Sequence, residues 1–140
     1  MVPQRKATAE WRGDLKSGRG SMQFADYDGP YTFASRFESG EGTNPEELLG
    51  AAHAGCFSMA LSNMLAQAGH TPKQVSTTAS VSLEVGADGA AIAEIVLTCR
   101  ADVPGISDEE FARIAGEAKT GCPVSKALAA TPIALDAALV

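Results

Sequence analysis

A chain of 140 residues, 45% hydrophobic and 20% charged, is long enough for one domain with its own core and too apolar to be disordered. Its formal net charge of −6 argues against nucleic acid and against a membrane surface as partners, because either would want a basic face. Met1–Trp11 has no apolar run of the kind a secretory signal needs, so the three cysteines point to a cytoplasmic protein with reactive or buried thiols rather than to a disulfide framework.

In chain order, Ala7–Asp14 alternates around Trp11 and predicts a strand, with Ser21–Ala25 returning as a second. Asp28-Gly29-Pro30 is turn material, and Tyr31–Phe37 alternates as a third strand with Arg36 on the face opposite Phe33 and Phe37. A long helix is expected between Gly42 and Gly69. Asn44 stands as its N-cap, Pro45 occupies the first helical position, Glu46 and Glu47 lie in the first turn, and Gly69 is the stop. No charge interrupts it between Glu47 and Lys73, which predicts a helix buried on nearly every side. The run Leu48–Ala66 is long enough to span a membrane, yet its glycines, alanines, serines, His53 and Asn63 make it too weakly apolar to prefer lipid.

Beyond it, Val75–Val85 and Ala91–Val103 are rich in β-branched residues and flank a Gly86–Gly89 turn, which predicts a long hairpin. Ser107 caps a further helix, with Glu110 placed to complete a capping box, and Gly121 breaks it. A short helix over Pro123–Ala130 and a last strand over Ile133–Ala137 finish the chain. The order shows no βαβ alternation and no repeat at a fixed period. The expected class is α+β, a single domain over residues 1–140 with a strongly curved, mostly antiparallel sheet around the long helix.

Six positions are candidates for chemistry on their own terms. Cys56 lies mid-helix, where burial without a nearby cation would raise its pKa and make it inert. Cys122 immediately precedes Pro123, at or beside a helix N-cap whose free N–H groups favour a thiolate. If the two meet, they form a redox pair; otherwise each is a small hydrophobe. Cys99, inside a strand, reads as a core residue. His53 and Cys56 share a helix face and could begin a metal site, although no second ligand pair accompanies them. Arg36 beside Cys56 would hold a thiolate, and Glu46 could grip the guanidinium with both oxygens; taken alone, Arg36 reads first as a solvent-facing strand residue and Glu46 as a first-turn residue.

Three blocks, Arg36-Phe37-Glu38, the run from Gly42-Thr43-Asn44-Pro45-Glu46 through Gly55-Cys56-Phe57-Ser58-Met59-Ala60-Leu61, and Gly121-Cys122-Pro123-Val124-Ser125, resemble the OsmC/Ohr family of thiol-dependent peroxidases, and the OsmC branch in particular. The resemblance extends to Trp11-Arg12-Gly13-Asp14 and Val103-Pro104-Gly105-Ile106. It implies an enzyme that reduces organic hydroperoxides, and hydrogen peroxide less well, without metal, haem or flavin. By the same resemblance, Cys56 matches the peroxidatic cysteine, Cys122 the resolving one, Arg36 the activating arginine and Glu46 the glutamate that orients it. It also implies an intertwined homodimer and a dithiol reductant such as a lipoyl-bearing protein. Glu46 and Cys56 stand ten positions apart, about 15 Å along an unbroken helix, so either the helix breaks near Gly50 or Glu46 serves the Cys56 of a second subunit. A redox sensor using the same cysteine pair with little turnover is the competing expectation.

Overall fold

The computed structural model describes residues 1–140. Contacts divide the chain into two compact units, Met1–Leu48 and Leu49–Val140.

The first unit is an antiparallel meander of β1 (Thr8–Arg12), β2 (Arg19–Phe24) and β3 (Tyr27–Tyr31) in that order, followed by the helical turn α1 (Phe33–Phe37). Trp11 pairs with Gly20, and Gly20 with Tyr31. The glycine lets the flanking rings meet across the middle strand, their centroids 5.3 Å apart. A Cβ at Gly20 would lie 2.5 Å from the Tyr31 ring and 2.7 Å from that of Trp11.

Two expectations fail here. Asp28-Gly29-Pro30 is not a turn but part of β3, an edge strand where proline's missing N–H is tolerated. The turn falls instead at Ala25-Asp26, with Ala25 at φ 47°, a left-handed conformation that alanine does not advertise. Nor is Tyr31–Phe37 a strand. Thr32 accepts the Ser35 N–H, and the Ser35 hydroxyl accepts the Thr32 N–H. This capping box winds the segment into a helix that sets Phe33 beside Phe37, centroids 4.9 Å apart. Arg36 is therefore helical.

The helix α2 runs from Pro45 to Gln67, continuous through Gly50. Asn44 Oδ1 accepts the Glu47 N–H at 2.9 Å, as an N-cap should, and Gly69 turns the chain at φ 90°. Its burial is narrower than its composition suggests. Gly50, His53, Phe57, Leu61 and Leu65 form a buried stripe, while Ala51, Ala52, Gly55 and Asn63 are exposed and Met59 keeps 77% of its surface. Alanine and glycine remove charge from a helix without adding much apolar area, so an uncharged run need not be enclosed on all sides.

In the second unit, β4 (Gln74–Gly86) and β5 (Gly89–Asp102) form the expected hairpin, with Gly89 at φ 101°. The helices α3 (Asp108–Gly121) and α4 (Pro123–Ala127) lead to β6 (Ile133–Leu139), which pairs with β5 in parallel. Two three-stranded sheets thus replace the single curved sheet expected, and β5–α3–α4–β6 is a βαβ crossover that the sequence reading did not contain. A parallel neighbour requires such a crossover, and α3 with α4 supplies it. The helix α4 is shorter than expected and β6 longer. Ser107 caps α3, but the Glu110 carboxylate lies 3.4 Å from His70 Nε2 and does not close a capping box.

The core of this unit joins Phe57, Leu61 and Leu65 of α2 to alternate residues of β5 (Ile95, Leu97, Cys99, Ala101) and to Phe111, Ile114, Ala115 and Ala118 of α3. Phe57 is fully buried among them. Phe57→Ala is expected to destabilise the protein by about 3–5 kcal/mol, from lost transfer energy and the cavity left behind. Urea unfolding at fixed protein concentration measures this, and a loss below about 1 kcal/mol would show that the site collapses without cost.

Candidate functional site

The sequence-predicted residues assemble as two clusters, one in each unit. In the second unit, Cys56 on α2 packs against the buried core that contains Cys122, near enough for the Cys122 thiol and the Val124 backbone N–H to act on its titration. Both thiols are free. Cys122 is the residue between α3 and α4 and caps the latter. Its Sγ accepts the Ser125 N–H at 3.3 Å, and its S–H donates to Ser125 Oγ at 3.1 Å. Cys56 is half-buried, whereas Cys122 is completely enclosed. Burial pushes the Cys56 thiol above the usual cysteine range; the Val124 N–H pulls it back, and Cys122 adds to the rise. Within the chain, then, Cys56 sits where a peroxidatic thiol would be under-activated.

His53, one turn before Cys56, is fully buried. Its Nε2 lies 2.7 Å from Ser125 Oγ, and its Nδ1 has no partner. Desolvation lowers its pKa, which favours the neutral ring. One ring nitrogen of His53 is thus engaged by a hydroxyl and the other stands free. The sequence reading missed Ser125. The signal was present in the spacing Cys122-Pro123-Val124-Ser125, which puts a third residue of the helix over its own cap.

In the first unit, Arg36 and Glu46 form a forked ion pair. Arg36 Nη2 donates to Glu46 Oε1 at 2.7 Å, and Nε lies 3.2 Å from both carboxylate oxygens. Local hydrogen bonds fix the spacing. Ser35 Oγ donates to the Thr43 carbonyl at 2.8 Å, and Asn44 Nδ2 donates to the Ser35 carbonyl at 2.9 Å, tying α1 to the start of α2. Glu46 is buried, 8% exposed, while the Arg36 side chain keeps 34% of its surface. A buried carboxylate thus holds a guanidinium that still faces outward. The guanidinium carbon also stands 5.4 Å from the Phe37 ring centre. Beside it lies a cavity of about 430 Å³ lined by Trp11, Tyr31, Thr32, Phe33, Arg36 and Phe37. The sequence reading did not find this aromatic pocket, because it put Phe33 and Phe37 on a strand.

Cys99 stands apart from both clusters. It is fully buried on β5, and burial raises its pKa.

The chain matches known proteins along nearly its whole length. Residues 38–136 match the family described as OsmC-like protein. Over 139 residues the chain is 50% identical to Peroxiredoxin OsmC of Escherichia coli (strain K12), covering 97% of this chain and 96% of that one. The fold is similar to that of an OsmC-like protein from Mycoplasma pneumoniae, with a TM-score of 0.76 at 18% identity over 100% of this chain and 99% of the other. It is also similar to the organic hydroperoxide resistance protein OhrB of Bacillus subtilis, with a TM-score of 0.73 at 23% identity over 95% and 98% of the two chains.

Proposed function

This chain belongs to the OsmC family and is a cysteine-based peroxidase, and we propose that it acts on organic hydroperoxides, with Cys56 as its peroxidatic thiol and Cys122 as its resolving thiol. The observation that carries the assignment is the proximity of two free thiols in one core, one half-buried and one enclosed. The Cys56 thiolate attacks the distal peroxide oxygen. The S–O bond forms, the O–O bond breaks, and the alkoxide leaves as alcohol after taking a proton. Cys122 then attacks the Cys56 sulfenic acid, forming a disulfide and releasing water, and an external dithiol restores both thiols. Lipoyl-bearing proteins supply a reductant of that class, and the cytoplasm is the compartment whose redox poise keeps the resting thiols reduced.

Arg36 and Glu46 complete the site in a homodimer, the Arg36–Glu46 pair of one subunit serving the Cys56 of the other. Three features support this reading. Cys56 requires a cation to offset its burial. The helix α2 runs on through Gly50, which counts against a break there. Its face carrying Ala51, Ala52, Gly55 and Met59 is exposed, apolar and small, which suits close approach by a second copy. In that assembly Arg36 holds the thiolate and polarises the O–O bond, while Glu46 locks the guanidinium in plane. The whole chain then acts as one OsmC-like domain.

The aromatic pocket beside Arg36 receives the organic part of the substrate. Burying an aryl group there is worth about 2 kcal/mol, or roughly thirtyfold in kcat/KM. Cumene hydroperoxide is therefore expected to exceed hydrogen peroxide by that order in a steady-state assay, and a preference for hydrogen peroxide would sink the pocket's role. The same assay answers the sensor reading, since a switch would not turn over with excess dithiol.

A further inference from the structure

His53 and Ser125 have no part in the cycle as described, yet they form a buried polar chain ending on Cys122. Ser125 Oγ has two polar neighbours, His53 Nε2 at 2.7 Å and Cys122 Sγ at 3.1 Å. The tautomer of His53 follows from its other nitrogen. Nδ1 is buried without a partner, and a buried N–H without an acceptor costs more than a lone pair without a donor. The ring proton therefore belongs on Nε2, and Nε2–H donates to Ser125 Oγ. With that lone pair occupied, the serine's own proton is left for the sulfur. Together with the Ser125 backbone N–H, this brings two donors to Cys122 Sγ. The chain is fully paired when Cys122 has lost its proton.

Exposure fixes when that charge arises. Cys122 is enclosed and Cys56 is not, so a reductant reaches the disulfide at the Cys56 sulfur. We propose that His53 and Ser125 are positioning residues for the reductive half of the cycle: they receive the negative charge on Cys122 Sγ when an incoming thiolate opens the disulfide at Cys56. In the step, the thiolate sulfur bonds to Cys56 Sγ, the Cys56–Cys122 bond breaks, and its electron pair leaves on Cys122, which later takes a proton from solvent. The second thiolate of the dithiol then attacks its own sulfur in the mixed disulfide. Cys56 is released as thiolate, and the dithiol ends as a cyclic disulfide, oxidised by two electrons. A leaving group whose charge is stabilised departs faster. The inference rests on the assignment of Cys56 and Cys122 to the two thiol roles.

The test separates the half-reactions. Protein oxidised with one equivalent of cumene hydroperoxide is reduced by dithiothreitol, and the disulfide is followed by alkylation and mass spectrometry. Ser125→Ala and His53→Leu are expected to slow reduction by at least about tenfold, the effect of removing a hydrogen bond to a charged group. Ser125→Thr keeps the hydroxyl and His53→Gln keeps an N–H donor; both are expected to fall within about threefold of the parent protein. Oxidation of Cys56 by the hydroperoxide is expected to change less than about threefold in all four. The monothiol 2-mercaptoethanol is expected to add to Cys56 and not to Cys122. Parent-like reduction in Ser125→Ala, equal losses in Ser125→Thr and Ser125→Ala, or a 2-mercaptoethanol adduct on Cys122 would each overturn the inference. If the parent protein forms no Cys56–Cys122 disulfide, the thiol assignment itself fails, and this inference with it.

Discussion

Cys56→Ser is expected to lower kcat/KM for cumene hydroperoxide by at least about a thousandfold, close to 4 kcal/mol of transition-state stabilisation, because a neutral hydroxyl replaces the attacking thiolate. Cys122→Ser is expected to behave differently. Its first turnover proceeds, and the product stops at sulfenic acid on Cys56, trapped by dimedone and seen by mass spectrometry. The geometry predicts this asymmetry. Cys56 keeps some exposure and can meet a substrate, whereas Cys122 is enclosed and can meet only Cys56. Both variants preserve shape, since serine is close in size to cysteine. A Cys56→Ser protein that retained more than a tenth of the parent activity would remove Cys56 from the attacking role.

Arg36→Ala is expected to cost about a hundredfold at neutral pH, because Cys56 then keeps the raised pKa that its burial imposes and loses most of its thiolate. The sharper result comes from mixing two inactive chains. Arg36→Ala and Cys56→Ser subunits, coexpressed and allowed to pair at random, place half of the dimers in the mixed form. In a mixed dimer with shared sites, one site carries both defects and the other carries neither. About a quarter of the parent activity is therefore expected to return. With sites contained in single chains, no combination yields an intact one and nothing returns. Each outcome is read from one steady-state assay of the coexpressed mixture against both homodimers.

The two cysteines were legible because helix signals are local. Asn44, Pro45 and the paired glutamates announce the start of α2 unambiguously, and Pro123 announces α4, so Cys56 and Cys122 could be placed on their elements before their proximity was known. Arg36 was misplaced for a physical reason. Tyr31–Phe37 satisfies a period of two and also an i, i+4 aromatic pair, and only the Thr32–Ser35 capping box decides between them. Its partner was right even so, because the ion pair depends on the loop from Ser35 to Asn44 and not on the strand. The crossover to β6 escaped because pairing direction is a tertiary property, invisible in a terminal segment that alternates like any other. His53 was seen as a possible ligand rather than a hydrogen-bond donor, since its partner lies 72 residues away.

With Cys56 and Cys122 in the two proposed thiol roles, their proximity in the reduced protein has one more consequence. No segment has to unravel before the second thiol can reach the first. Newly made sulfenic acid is therefore captured at once, and a second peroxide molecule rarely finds it. Such a protein resists the irreversible sulfinic form and keeps working as the oxidant rises. It is built as a scavenger for bursts, whereas a relay meant to shut down under flood would keep its thiols apart.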